Sequence, residues 1–166
     1  MYSVMYQTPS IKSINEPFDF SSKSKCDNIE VLVEADGIRK NFCYNQVALA
    51  ESDANVCDNI MNSYQSGIDA KQLCKDEVVK SKVSKNPGDV TACKTIENKL
   101  SRNSCYTTSA IKTGNYLVCN NTTGQYKELC YMRAVQWNDS QELRDKVCPL
   151  IVEMKDNVNN PCNKPL

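Results

Sequence analysis

Cys26-Asp27-Asn28-Ile29 recurs verbatim as Cys57-Asp58-Asn59-Ile60, thirty-one residues further along the chain. Cys93-Lys94-Thr95-Ile96 and Cys148-Pro149-Leu150-Ile151 keep the C-x-x-I frame, and Cys119 occupies a similar place without the isoleucine. Between these five cysteines lie five of another kind. Cys43-Tyr44 is followed by Ala48 and Cys105-Tyr106 by Ala110, a C-Y-x-x-x-A frame. Cys130-Tyr131 has its alanine one place early at Ala134, and Cys74 and Cys162 lack the tyrosine. The two kinds alternate without a break. Successive cysteines of the first kind are 31, 36, 26 and 29 residues apart, and those of the second kind 31, 31, 25 and 32. A period near 30 is that of repeats built from helical hairpins.

Helical periodicity fits this frame. Tyr126, Leu129, Cys130, Arg133 and Ala134 fall at i, i+3 and i+4 spacings, and Trp137 continues them. Leu143, Val147, Leu150, Ile151 and Met154 do the same over 139–154, with Asp139 or Ser140 as the cap and Pro149 as a kink or an early stop. Asn86-Pro87-Gly88-Asp89 breaks the chain before a helix starting at Asp89 or Thr91, and Gly67, Gly114 and Gly124 punctuate other elements. Ile29 to Val33 is β-branched, yet its glutamates and the repeat favour helix there too. The expected fold is all-α: about ten short helices, two per repeat, each carrying one cysteine, forming five disulfide-stapled hairpins in an α-solenoid-like array or compact bundle. Residues 1–24 form an extended N-terminal arm or linker, and residues 25–166 the repeat domain.

The ten cysteines, Cys26, Cys43, Cys57, Cys74, Cys93, Cys105, Cys119, Cys130, Cys148 and Cys162, are even in number and never closer than eleven positions. That spacing contains no C-x-x-C, so zinc knuckles, thioredoxin-type redox sites and c-type haem attachment lose their signature. Evenly dispersed cysteines in a chain of 166 residues predict five disulfides and an oxidising compartment. Joining each first-kind cysteine to the next gives 26–43, 57–74, 93–105, 119–130 and 148–162. The shifted scheme strands Cys26 and Cys162 at opposite ends, which an open array disfavours, so the first is preferred. Sequons at Asn120, Asn121 and Asn138 offer glycosylation sites. The first 25 residues hold no apolar leader segment, so an exported protein would have lost its leader from this chain. No apolar run reaches transmembrane length.

Histidine is absent, which removes the usual Ser-His-Asp and Cys-His nucleophile systems, His-ligated zinc and a simple histidine pH switch. Twenty Lys and Arg balance twenty Asp and Glu, leaving no basic footprint for nucleic acid. Neither a cofactor nor a bound metal is expected. Tyr44, Tyr106, Tyr131 and Trp137 are assigned to the core beside the disulfides, and Ala48 and Ala110 to close helix contacts. Lys75, Lys80, Lys82 and Lys85 are assigned to a solvated helix face.

The C-x-x-I and C-Y-x-x-x-A alternation over residues 26–162 resembles cysteine-paired helical repeats of secreted or surface proteins, notably of archaea. That resemblance implies architecture and location without implying an activity. Insect odorant-binding proteins, saposins, prolamin-type proteins and secreted phospholipases fit worse, for want of their close cysteine pairs or their histidine. The expected function is a secreted or cell-surface, non-catalytic module with a protein partner. One alternative is a structural subunit of an extracellular filament or surface layer that self-associates through its N-terminal arm. Another is a small secreted hydrolase working through paired carboxylates.

Overall fold

A computed structural model describes residues 22–61, 69–138 and 140–163. The N-terminal arm up to residue 21 and Gly67 lie outside the described residues. Every regular element among those described is helical. Six α-helices occur: α1 Lys23–Asp27, α2 Glu34–Glu51, α3 Ala70–Lys85, α4 Lys99–Thr113, α5 Gln125–Trp137 and α6 Gln141–Val147. Five short 3-10 segments separate or follow them: Ala54–Asn59, Thr91–Thr95, Tyr116–Asn121, Cys148–Leu150 and Pro161–Asn163.

The hairpins are therefore unequal, and the cysteine frames explain why. After each first-kind cysteine, the amide three residues on donates to the cysteine carbonyl: Ile29 to Cys26, Ile60 to Cys57, Ile96 to Cys93, Thr122 to Cys119 and Ile151 to Cys148. At Ile60, Ile96, Thr122 and Ile151 the backbone is extended, so the turn stops after one or two rounds. The same side chains are buried at 4%, 1%, 3% and 3% exposure, which makes the fourth residue of the frame a core anchor. Thr122 fills that role by turning its hydroxyl onto the Cys119 carbonyl at 2.7 Å, so its polar atom is satisfied in the core. Four of the second-kind cysteines sit instead within α2, α3, α4 and α5, where tertiary packing sustains 13 to 18 residues of helix, whereas Cys162 lies in the 3-10 segment Pro161–Asn163, so the fifth unit is not the helical hairpin expected.

All ten sulfurs are paired in the neighbour order, Cys26–Cys43, Cys57–Cys74, Cys93–Cys105, Cys119–Cys130 and Cys148–Cys162. Each bridge ties a short segment to the element that follows it. Packing is chiefly between sequence neighbours, α2 on α3, α3 on α4 and α4 on α5, with each 3-10 segment wedged between helices. The apolar interior divides into two clusters that α3 spans. Cys74 and Val78 belong to the cluster of the first two units, and Val83 to the cluster running from Cys93 to Ile151.

Three sequence expectations change. Ile29 to Val33 is a connecting segment: the Ile29 amide closes the first turn, and Asp36 accepts the Leu32 and Val33 amides at 3.2 Å as α2 begins. The helix expected over 139–154 is α6 followed by the 3-10 segment Cys148–Leu150. Pro149 stands at the start of that segment, where its missing N–H costs nothing, and Leu150 is consequently exposed. Trp137 is 66% exposed, because it is the last residue of α5 and projects past the layer that buries Cys130 and Ala134. Tyr44, Tyr106 and Tyr131 are each 3% exposed, and Ala48 and Ala110 are fully buried.

Candidate functional surface

At three of the five disulfides the residues that follow the two cysteines form a second lock beside the bridge. Asp27 and Tyr44 follow the two cysteines of the first bridge, and the Tyr44 hydroxyl donates to Asp27 at 2.6 Å. Asp58 and Lys75 follow those of the second bridge and pair at 2.7 Å. Asn120 and Tyr131 follow those of the fourth, and the Tyr131 hydroxyl donates to Asn120 at 2.8 Å. Burial, and then the bond to Asp27, push the Tyr44 hydroxyl up to about 12. The same bond, reinforced by Lys23, holds the Asp27 carboxyl below its ordinary value. These tyrosines are thus structural, and the Lys75 of the basic stretch is engaged in the second lock.

Another set of polar side chains joins one unit to the next. Asn41 of α2, two residues before Cys43, exchanges two 2.8 Å bonds with the backbone of Met61, immediately after the Ile60 turn. Asp76 of α3, 1% exposed and braced by Gln72 at 2.8 Å, accepts the amides of Glu97 and Asn98 after the Ile96 turn. Glu128 of α5, two residues before Cys130, accepts the amides of Val152, Glu153 and Met154 at 3.1, 3.0 and 2.8 Å after the Ile151 turn. Burial opposes ionisation of Glu128, but the three amide donors outweigh it and hold the carboxyl below its ordinary value. A general acid needs the opposite shift. Both buried carboxylates are thereby committed to holding backbone. The sequence carried a trace of this in the polar residues Asn41, Gln72, Asn103 and Glu128, each two places before a second-kind cysteine.

Two features remain on the outside. The first is an apolar patch at the N-terminal end. Leu32 is 81% exposed, Val33 61%, Ile38 62%, Val31 45% and Met61 41%. Gly37 lets two of them approach: a Cβ there would stand 3.3 Å from the Met61 methyl and 3.8 Å from Val31 Cγ1. The second is a groove between α4 and α5, with a volume of about 360 Å³. Leu100, Ile111, Tyr126 and Leu129 line it, with Asn103 and Arg133. Neither feature was read from the sequence, since exposure depends on which neighbour each helix face lacks.

The three sequons differ. Asn120 and Asn121 are both exposed, but the Asn121 amide donates to the Val118 carbonyl at 3.0 Å, whereas Asn120 uses only its carbonyl, as acceptor from Tyr131. Asn138 is half-buried and its amide donates to Ile111 and Ala134 carbonyls at 2.9 and 3.1 Å, closing the end of α5 on α4. Among the described residues no group of three or more cysteine or carboxylate side chains is placed to hold a metal ion. No helix among them is long and apolar enough to cross a membrane. Comparison of the chain with protein-family models, curated proteins and solved structures finds no match.

Proposed function

We propose that this protein is a secreted or cell-surface binding module, non-catalytic, that docks a protein partner on the apolar patch of its first unit. Five disulfides in a chain of this size fit an oxidising, extracellular setting. The resemblance of the cysteine frames to secreted helical-repeat proteins points the same way. The observation that carries the reading is the cluster of Val31, Leu32, Val33, Ile38 and Met61. Exposed apolar side chains grouped on one unit mark an interaction surface. Staples and locks hold the patch rigid, so little conformational entropy is lost when a partner covers it.

A second reading, a subunit of an extracellular filament or surface layer, has its own support. The opposite end of the chain also exposes apolar side chains, Leu150 at 43%, Val152 at 72% and Val158 at 87%. Two different apolar ends suit head-to-tail contact between copies. Photo-crosslinking separates the readings. A benzoylphenylalanine placed at Leu32 in the secreted full-length protein is expected to capture a different protein, while one at the exposed Lys94 captures none. Self-adducts at Leu32 would favour the filament, and silence at Leu32 would remove the docking role.

A further inference from the structure

We propose that the groove between α4 and α5 binds a small anionic amphiphile, an aliphatic carboxylate. Its chain lies on Leu100, Ile111, Tyr126 and Leu129, and its head group meets Arg133 and Asn103. The argument starts from a broken rule. Helices α2, α3 and α5 each send a polar side chain onto the backbone that follows the next turn. In α4 the residue at the position used by α2 and α5, two places before the cysteine, is Asn103, and among the described residues it makes no such bond to the backbone after Thr122. Asn103 is 7% exposed, and its buried Nδ2 has no hydrogen-bond partner. Thr107 does not relieve it, since the Thr107 hydroxyl donates to the Asn103 main-chain carbonyl at 2.9 Å. A buried donor left unmade is costly, and departures from a molecule's own construction rule concentrate at functional sites. Among the described residues no side-chain hydrogen bond fixes the Asn103 carboxamide in one orientation, so its NH2 group is free to turn to a ligand in the groove.

Charge selects the ligand. Among the described residues lining the groove, Arg133 is the one ionisable cation and there is no carboxylate. Among the described residues Arg133 forms no ion pair, whereas Lys75, Lys80 and Lys146 are each paired. A guanidinium fork matches a carboxylate in two parallel bonds. Leu100 at 59% and Leu129 at 36% exposure supply apolar wall for an alkyl chain. A volume of about 360 Å³ lies at the lower end of small-ligand sites. Two other cavities among the described residues lack an unbonded buried carboxamide, although the one near the last disulfide also carries a single cation, Lys155. Beside α6, Glu142 and Lys146 already pair at 2.7 Å. Near the last disulfide, Asn160 is satisfied by the Met154 and Lys155 carbonyls and the Cys162 amide.

Decanoate is the probe, titrated into methyl-labelled full-length protein and followed by NMR. Saturable shifts are expected for the methyls of Leu100, Ile111 and Leu129 but not of Leu32 and Ile38. Arg133→Gln, a change at an exposed side chain, is expected to weaken decanoate about tenfold while leaving decanol unchanged. Asn103→Leu, verified as folded by its retained methyl spectrum, is expected to weaken decanoate as well. Equal shifts at the N-terminal patch, an affinity within twofold in Arg133→Gln, equal binding of decyltrimethylammonium, or no saturation in the millimolar range would each overturn the proposal. Crosslinking at Leu32 is unaffected by any of these outcomes, so the two sites stand or fall separately.

Discussion

At the scale of single residues, the molecule spends its buried polar groups on backbone. Glu128 shows the logic. One carboxylate satisfies three amides of a segment that has left its 3-10 turn and has no helical partner. Its carboxyl is held below the ordinary value, so the sign of its pH linkage is fixed. The stabilisation is fully present above the unfolded-state pKa of about 4.3 and is lost as pH falls through the lower folded-state value. Glu128→Gln, which keeps the shape but leaves a single acceptor, is therefore expected to lose about 2 kcal/mol at pH 7. The gap to the native protein should narrow in acid below the ordinary carboxylate range, where the native carboxylate also protonates. Urea unfolding at the two pH values measures this, and an equal loss at both would remove the amide-binding role. Tyr44 and Tyr131 differ from Tyr106 in the same terms, for the first two donate to the residue beside their own disulfide.

Elements are set by where each cysteine falls. A disulfide between a short turn and the middle of a long helix fixes the turn against the helix surface, and the fourth residue of the frame fills the gap between them. The Cys93–Cys105 bridge closes a span of 12 residues within the larger cluster. Replacing both by alanine is expected to cost about 3 kcal/mol by loop closure, read as a lower urea midpoint. An unchanged midpoint would show that packing alone holds the Thr91–Thr95 segment. The cysteine alternation made the helical class and the pairing order legible from the chain alone, because a constant frame demands a constant local geometry. Helix lengths were less legible. Leu150 and Met154 keep a helical spacing on paper, yet Pro149 and the bond from Ile151 to the Cys148 carbonyl end the helix before them. Trp137 has the phase of a core residue but stands at a helix end, and periodicity carries no information on where a neighbour stops. The groove was hidden for a related reason. Asn103 looks like Asn41 in sequence, and only the path of the following backbone shows that one is bonded and the other is not.

Across the whole molecule, contacts run between neighbours along the chain, and no unit buries much apolar surface alone. Cross-links therefore supply what a thin core does not, and both the first and the last described units expose apolar side chains. The central claim is that five neighbour disulfides turn each cysteine frame into one rigid unit and mark the protein as extracellular. Intact mass with and without reduction, followed by peptide mapping of the protein isolated from its natural source, tests this most directly. The account predicts no free thiol and cross-linked peptides joining 26 to 43, 57 to 74, 93 to 105, 119 to 130 and 148 to 162. Free thiols in quantity, or peptides joining 43 to 57 and 74 to 93, would contradict both the architecture and the compartment on which the functional reading rests.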